Sequence, residues 1–244
     1  MKTDSPQIIQ SLWIGNELSQ VEKLCISSHI HHGHAFHLYS YNDIDGLPKN
    51  CIVKDASEIL PKEEIFSYNV GLGKGSYSAF SNYFRYKLLN LKGNWWTDTD
   101  VVCLKKFDFE DEYVFASENT SSDGNHITSG IIKAPKGSLF SQKCYEFCSE
   151  QNKDTLPWGV VGPKLVSKIV KELNIENFVK PWKFFNPIGF EQLGMIFDET
   201  FGNIKLDDSY AVHLWNEMWR RNNLDKNRKY EENCLFEKLK KKYL

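Results

Sequence analysis

Two carboxylates stand two residues apart in Asp98-Thr99-Asp100, directly after the aromatic pair Trp95-Trp96. Alternate residues of an extended chain project to the same side, so both carboxylates can converge on one divalent cation. Such hard oxygen ligands suit Mg²⁺ or Mn²⁺, ions that neutralise a diphosphate. Trp95-Trp96 predicts a buried strand, and carboxylates at its end need a partner because unpaired ions are costly to desolvate. The pair is a candidate metal site, although an isolated D-x-D pattern is also typical of solvated loops.

Two other segments contain residue types that could carry chemistry. Five histidines span a predicted helix end, a turn at Gly33 and a strand start, so their side chains should diverge, and no acidic or cysteine residue accompanies them. A solvated loop is therefore the preferred interpretation over a metal site. The run 71–76, Gly-Leu-Gly-Lys-Gly-Ser, lacks the full spacing of a phosphate-binding loop and is predicted to be a loop before a helix. The five histidines are His29, His31, His32, His34 and His37.

The elements that must position these residues follow from hydrophobic periodicity. Strand, helix and strand are predicted in turn over Ile8–Ile14, Ser19–Ser28 and Ala35–Tyr41, an order typical of a parallel α/β sheet. An amphipathic helix over Ser76–Leu91 precedes the Trp95–Thr97 strand. Later strands are predicted over Tyr113–Ser117, Ile127–Lys133 and Ala211–Trp215, and later helices over Ser138–Gln151 and Pro163–Leu173.

Composition limits the class of protein. The 244 residues carry a net charge of -2, and 14% of them are aromatic. This excludes disorder and argues against a nucleic-acid partner. No apolar stretch approaches the roughly 20 residues of a membrane span, and the N-terminus lacks a signal-peptide core, so a cytoplasmic location is expected. We predict one domain over 1–219 and a basic helical tail over 220–244, whose lysines either form a solvated helix face or contact anionic lipid at the inner face of the membrane.

Four ordered motifs resemble the DXD-containing sugar transferases. The segment Ser78–Leu89 followed by Gly93–Asp100 is similar to that group's helix signature, approximately S-D-x-x-R-Y, and its G-G-x-Y-x-D-x-D. The group includes glycosyltransferase family 32, with α-1,4-galactosyltransferases and bacterial capsular or lipopolysaccharide transferases, and more distantly the glucosylating clostridial toxins. The other matching motifs are Leu12-Trp13-Ile14-Gly15, Gly162-Pro163 and His213-Leu214-Trp215-Asn216.

The resemblance implies a GT-A fold, that is, a Rossmann-like α/β domain with a mainly parallel central sheet flanked by helices. It also implies a nucleotide-diphosphate sugar donor, taken to be a UDP-sugar, and a Mn²⁺ or Mg²⁺ ion bound by Asp98 and Asp100, the expected catalytic residues. Trp13 matches a Trp that stacks on the nucleobase, and Arg85 matches an Arg that contacts the donor sugar. His213 lies where relatives supply another metal or diphosphate contact, and a neutral imidazole can complete a manganese shell.

Three positions in the donor signature depart from the family pattern, and one of them is Asn94, which stands at the second Gly. Asn82 stands where the family usually has Asp, which replaces a carboxylate beside the donor sugar by an amide that both accepts and donates hydrogen bonds. Trp96 stands at the usual Tyr, which removes a hydroxyl. Either the donor sugar differs or the site is rearranged, and Asn82 and Trp96 are both expected in the donor site.

The resulting hypothesis is a metal-dependent hexosyltransferase that acts with retention of configuration on a glycan or lipid-linked acceptor. Its setting would be the synthesis of surface polysaccharide, capsule or lipopolysaccharide. The competing hypothesis is a non-catalytic nucleotide-sugar or glycan-binding protein of the same fold. Polar residues between Ser117 and Asn125 either line the acceptor side or form a solvated loop.

Overall fold

The computed structural model describes residues 7–120, 124–199 and 206–244. Seven of its strands form one sheet in the order β3-β2-β1-β4-β7-β6-β8, and β5 pairs with β9 in a second, two-stranded sheet. Strands β3, β2, β1 and β4 are mutually parallel, and among the described strands of the large sheet only β7 runs opposite to its neighbours. The strands are β1 Ile8–Trp13, β2 Ala35–Ser40, β3 Cys51–Asp55, β4 Asn94–Thr97, β5 Val101–Cys103, β6 Val114–Thr120, β7 Gly124–Ala134, β8 Val179–Lys180 and β9 Ala211–His213.

Seven α-helices flank the sheet in the described residues. The first helix begins with a capping box, in which the Ser19 side chain accepts from the helix backbone and the Glu22 side chain accepts from the Ser19 amide. The helices are α1 Gln20–His31, α2 Ser78–Lys92, α3 Leu139–Ser149, α4 Pro163–Glu172, α5 Trp182–Phe185, α6 Asn216–Arg221 and α7 Leu235–Tyr243. None of them is long and apolar enough to cross a bilayer.

The aromatic pair of β4 divides between the two faces of the sheet. Successive strand residues point in opposite directions, so Trp96 packs towards Phe84 of α2 and Trp95 packs towards Phe107 on the other face. Both indoles are fully buried. Because β4 lies between β1 and β7, this packing anchors the strand that leads into Asp98.

The mixed α/β class and the mainly parallel sheet are confirmed. The structure adds strands β3 and β8, and it pairs β5 with β9, which lies within the predicted Ala211–Trp215 strand. In the C-terminal region, α6 ends at Arg221 and the next helix begins at Leu235, where Phe236, Leu239 and Tyr243 are buried against α1. The division at residues 219 and 220 stays a prediction.

The prediction of a solvated loop is wrong for two of the clustered histidines. His29 lies on the inner face of α1 and His34 precedes β2, and both side chains are buried around Phe107. The helix extends to His31, three residues beyond its predicted end, and so carries His29 into the interior. His31 is exposed, whereas His32 and His37 are half-buried.

Candidate functional site

Asp98 and Asp100 lie at the carboxyl end of β4, in the tight turn that leads into β5. The Asp98 amide donates to Gly130 O at 2.8 Å, and the Val101 amide donates to Asp98 O at 3.3 Å. Asp100 is buried, whereas 28% of the Asp98 side chain is exposed. The turn therefore presents the Asp98 carboxylate towards solvent and directs the Asp100 carboxylate inwards.

Pairing of β5 with β9 brings His213 to the two carboxylates, because Val101 is the partner of His213 in that register. Asp98, Asp100 and His213 each offer one ligand atom, and these atoms lie within 4.8 Å of one another. Among the described residues this is the only such group of three or more His, Cys, Asp or Glu side chains. Two carboxylates and an imidazole form a set of O, O and N ligands that suits a divalent transition ion.

The orientation of His213 is set by Asn186. The Asn186 Nδ2 donates to Ser117 O at 2.9 Å, so its Oδ1 faces His213 Nδ1 at 3.2 Å. His213 Nδ1 must then carry a proton, and Nε2 is the nitrogen that faces the carboxylates. This arrangement is the one that a metal-binding histidine requires of the residue behind it. The Trp215 ring stacks on the imidazole, with ring centroids 3.9 Å apart.

Asp100 is held at one oxygen and open at the other. Its Oδ2 accepts from the Asn216 amide at 2.5 Å. Its buried Oδ1 lies 3.1 Å from His213 Nε2 without a hydrogen bond of good geometry. Burial favours the protonated acid, but the charge of His213 and the hydrogen bond from Asn216 outweigh it and lower the pKa of Asp100. Burial likewise disfavours the imidazolium, yet the Asp100 carboxylate raises the pKa of His213. An ionised carboxylate with an open buried oxygen fits a bound cation.

Asp98 is oriented by Arg85 and Trp96. Its Oδ1 accepts from Arg85 Nη2 at 2.6 Å and from Trp96 Nε1 at 2.8 Å. Arg85 also donates to Ser129 O, and its Cζ lies 4.8 Å from the Trp96 ring centroid. Burial raises the pKa of Asp98, against the opposing charge of Arg85. Trp96, which stands where the family usually has Tyr, therefore donates a hydrogen bond from its indole N–H directly to Asp98.

Gly130 leaves room between Asp98 and His213. A Cβ at this position would lie 3.3 Å from Asp98 Oδ2 and 3.2 Å from His213 Cε1. These contacts are tighter than ordinary van der Waals separations, so a side chain here would displace one of the two candidate ligands. The free Oδ2 of Asp98 therefore points into space that the backbone of β7 keeps clear.

A cavity of about 880 Å³ opens above this cluster. Its volume lies within the range of small-molecule and cofactor sites. All seven site residues predicted from the sequence line it, and their roles stay predictions. Its lining includes Trp13, Lys226 and Asn227, the cluster Asp98, Asp100, His213, Arg85 and Trp96, and Asn82, Tyr68, Trp158 and Arg221.

The residues predicted to bind the donor sugar nucleotide differ in burial and in how many of their polar atoms are already hydrogen-bonded. Trp13 is half-buried, and its Nε1 donates to Glu17 O at 3.0 Å, which fixes the ring at the edge of the cavity. Asn82 is only 6% exposed, and its Oδ1 has no hydrogen-bond partner. Arg85 donates to Asp98, Ser129 and Ser81 through its two terminal nitrogens, whereas its buried Nε has no hydrogen-bond partner.

Several site residues were not predicted from the sequence. Asn186, Gly130 and Lys226 carry no local signal, whereas Asn216 belongs to the late H-L-W-N motif. Trp215 of that motif adopts a left-handed backbone with φ of 54°, which turns the chain so that the Asn216 amide meets Asp100. The acceptor-side segment predicted between Ser117 and Asn125 lies partly outside the described residues.

Comparison with known proteins matches the C-terminal part of the chain to one family of transferases. Residues 134–243 match the sequence model of the α-1,4-glycosyltransferase conserved region, a span that includes Asn186, His213 and Asn216. This match supports a transferase, and the fold is mixed α/β with a mostly parallel central sheet. The resemblance to DXD-containing glycosyltransferases is confirmed, and the conserved region of the α-1,4-glycosyltransferases occupies the C-terminal part of the chain.

Solved structures similar to this chain are glycosyltransferases at low identity. PaToxG glycosyltransferase is 12% identical over 98% of this chain and 86% of that chain, with a TM-score of 0.48. The apo-form glycosyltransferase GlyE of Streptococcus pneumoniae is 14% identical over 91% of this chain and 61% of that one, with a TM-score of 0.49. The WbbM bifunctional glycosyltransferase is 10% identical over 98% of this chain and 52% of that one, with a TM-score of 0.47.

Proposed function

We propose that the protein is a metal-dependent hexosyltransferase, which moves a hexose from a UDP-sugar to a glycan or lipid-linked acceptor with retention of configuration. The observation that carries the proposal is the convergence of Asp98, Asp100 and His213 within 4.8 Å in the lining of an 880 Å³ cavity. The carboxyl ends of parallel strands are where open α/β sheets bind their ligands, and β1 and β4 both end at this cavity.

Asp98, Asp100 and His213 would hold the ion, and the imidazole favours Mn²⁺ over Mg²⁺ because Mg²⁺ prefers oxygen ligands. The open Oδ1 of Asp100 and the Nε2 of His213 support this fit. When bound, such an ion neutralises the negative charge that develops on a leaving diphosphate.

Other side chains of the cavity would bind and orient the donor. The fixed ring of Trp13 offers a flat apolar surface for a nucleobase. The unpartnered Oδ1 of Asn82 can accept a hydrogen bond from a sugar hydroxyl. Arg85 and Asn186 hold Asp98 and His213 in place, so the ligand set is formed before the donor arrives.

We further propose a role in surface polysaccharide, capsule or lipopolysaccharide synthesis, at the inner face of the membrane. The lysines Lys238, Lys241 and Lys242 of α7 are exposed, while its apolar face is buried against α1. Each basic residue close to an anionic bilayer contributes about 1 kcal/mol to peripheral binding. Binding to vesicles with and without anionic lipid tests this part separately.

Donor turnover tests the central proposal. Release of UDP from a panel of UDP-hexoses is measured with Mn²⁺ for the wild type, Asp98→Asn, Asp100→Asn and the surface control Asp154→Asn. We expect both motif variants to lose at least about 100-fold in turnover, as for removal of electrostatic groups at a reacting centre, and Asp154→Asn to keep it. Full activity of Asp98→Asn and Asp100→Asn, or in excess chelator, contradicts the proposal.

A second candidate is a nucleotide-sugar or glycan-binding protein without turnover. The observation in its favour is that Arg85 and Trp96 both occupy Oδ1 of Asp98, which leaves one oxygen of that carboxylate for a cation. UDP-sugar binding in a thermal-shift assay, without UDP release across a broad acceptor panel, would favour this candidate.

A further inference from the structure

A buried carboxylate outside the metal cluster connects two walls of the cavity. Glu22 lies in α1 with 0% of its side chain exposed. Its Oε2 accepts from the Ser19 amide at 2.8 Å. Its Oε1 accepts from Asn216 Nδ2 at 3.1 Å and from Lys226 Nζ at 2.8 Å. All three partners line the cavity, although Glu22 itself does not.

The first connection leads to the metal cluster. Asn216 follows Trp215, whose left-handed backbone would not be stable without support from its surroundings. The backbone amide of Asn216 donates to Asp100 Oδ2 at 2.5 Å, while its side-chain amide donates to Glu22. Because an ionised carboxylate only accepts, Glu22 fixes which way the Asn216 amide faces. The position of Asp100 thus depends on a turn that Glu22 holds.

The second connection leads to Lys226 and Trp13, which also line the cavity. Lys226 Nζ lies 5.9 Å from the Trp13 ring centroid, and 24% of its side chain is exposed. The neighbouring Asn227 Oδ1 accepts from the Gln20 amide at 3.0 Å, so the segment 224–227 is attached to the start of α1 at two points. An ammonium has three N–H donors. With one donated to Glu22, two remain for an oxygen ligand beside Trp13.

We propose that Glu22 is a positioning residue for the whole donor cavity, and that Lys226 is a binding residue for a nucleotide oxygen next to Trp13. Glu22 supports Asp100 through Asn216, and it holds Lys226 at the wall formed by residues 224–227. A buried ion pair contributes little to stability by itself, so the position of this pair between two walls is better explained by its effect on the site. This inference rests on the proposed function.

Two probes report separately on the metal cluster and on the part of the cavity beside Trp13. Mn²⁺ alone reports on the cluster of Asp98, Asp100 and His213, and uridine monophosphate in excess chelator reports on the part beside Trp13. Affinities are measured by calorimetry for the wild type, Asn216→Ala, Lys226→Met and Glu22→Gln. The matched control is Glu172→Gln, which breaks the exposed pair of Glu172 with Lys143, also 2.8 Å long.

We expect Asn216→Ala to lower the affinity for Mn²⁺ about tenfold, which is the effect typical of a residue behind a metal ligand. Its affinity for uridine monophosphate should stay within about twofold of the wild-type value. Lys226→Met should lower the affinity for uridine monophosphate and leave that for Mn²⁺ nearly unchanged. Glu22→Gln should lower both affinities. Glu172→Gln should change neither. The methionine keeps most of the lysine's apolar stem, so loss of packing is small.

Unchanged affinities in Glu22→Gln, with only a lower melting temperature, would mean that Glu22 is purely structural and would overturn the inference. Equal effects of Asn216→Ala and Lys226→Met on both probes would also overturn it. If Glu22→Gln does not fold, these two variants still carry the test, because each alters one part of the cavity. A wild type that binds neither probe contradicts the proposed function itself, which distinguishes that failure from failure of the role of Glu22.

Discussion

Burial of His29 predicts a loss of stability in mild acid. The imidazole is fully buried between Phe36 and Phe107, with centroids 5.5 Å from each ring. Its Nδ1 donates to Cys25 O at 2.9 Å, and its Nε2 has no hydrogen-bond partner. Nothing around Nε2 would stabilise a second proton, so burial lowers the pKa of His29 from 6.5 to about 3.

Whether acid raises or lowers stability depends on how readily His29 takes up a proton in the folded and in the unfolded chain. The unfolded chain takes up a proton near pH 6.5, whereas the folded chain resists it down to about pH 3. The contribution of neutral His29 is therefore complete above pH 6.5, and stability falls as the pH drops below it. One pKa unit corresponds to about 1.4 kcal/mol, so lowering the pH by about two units below 6.5 costs on the order of 3 kcal/mol. His34, whose pKa burial lowers to about 4, adds a cost of the same sign.

Urea unfolding at about pH 7.5 and about pH 4.5 measures this cost. His29→Phe removes the titrating group but keeps an aromatic ring. Because the hydrogen bond to Cys25 O is lost, its free energy of unfolding at neutral pH should be lower by about 1 kcal/mol. Its acid-induced loss should be smaller than that of the wild type by about 3 kcal/mol. The exposed His31 supplies the control, since His31→Gln should retain the wild-type pH dependence. The reasoning is refuted if His29→Phe loses as much stability in acid as the wild type.

Three further predictions concern the metal cluster. Arg85→Met removes the guanidinium that opposes the raised pKa of Asp98, so Mn²⁺ affinity at neutral pH should fall about tenfold or more and recover partly at higher pH in calorimetry; no loss would contradict it. Gly130→Ala should lower the affinity for Mn²⁺ at least about fivefold, because the added methyl group displaces a ligand atom. Gly194→Ala is the control, since a Cβ there meets no atom within 4 Å, and it should leave the affinity unchanged. Since Asp100 raises the pKa of His213, Mn²⁺ binding near pH 6 should release up to about one proton, and equal calorimetric enthalpies in two buffers would contradict this.

Elements with a strong local pattern could be predicted from the sequence. Strands β1 and β2 and helices α1 and α2 combine apolar periodicity with clear boundaries, such as Ser19 at the start of α1. The Trp95-Trp96 pair predicted a buried strand and thereby the location of Asp98 and Asp100. These elements contain most of the predicted site, because the motif residues lie within or directly after them.

Elements that depend on distant partners could not be predicted in this way. Strand β3 lies at the edge of the sheet with Ile52 and Val53 both exposed, so it shows no alternation of buried and exposed residues. Strands β5 and β9 have three residues each, and the sequence does not indicate that they pair, because Val101 and His213 are 112 residues apart (213 − 101). A motif resemblance suggested His213 as a ligand, but only the β5–β9 register explains how it reaches the carboxylates.

Glu22 illustrates why part of the site has no sequence signal. In the sequence it is the fourth residue of a Ser-x-x-Glu capping box, and its Oε2 fulfils that local function with the Ser19 amide. The capping box uses one carboxylate oxygen and leaves Oε1 available, and the fold brings Asn216 to it from 194 residues away. A side chain that already satisfies a local rule gives no indication of a second partner. Residues of this kind become candidates for function only when the backbone shows what lies beside their remaining oxygen, and here that is the turn that holds Asp100.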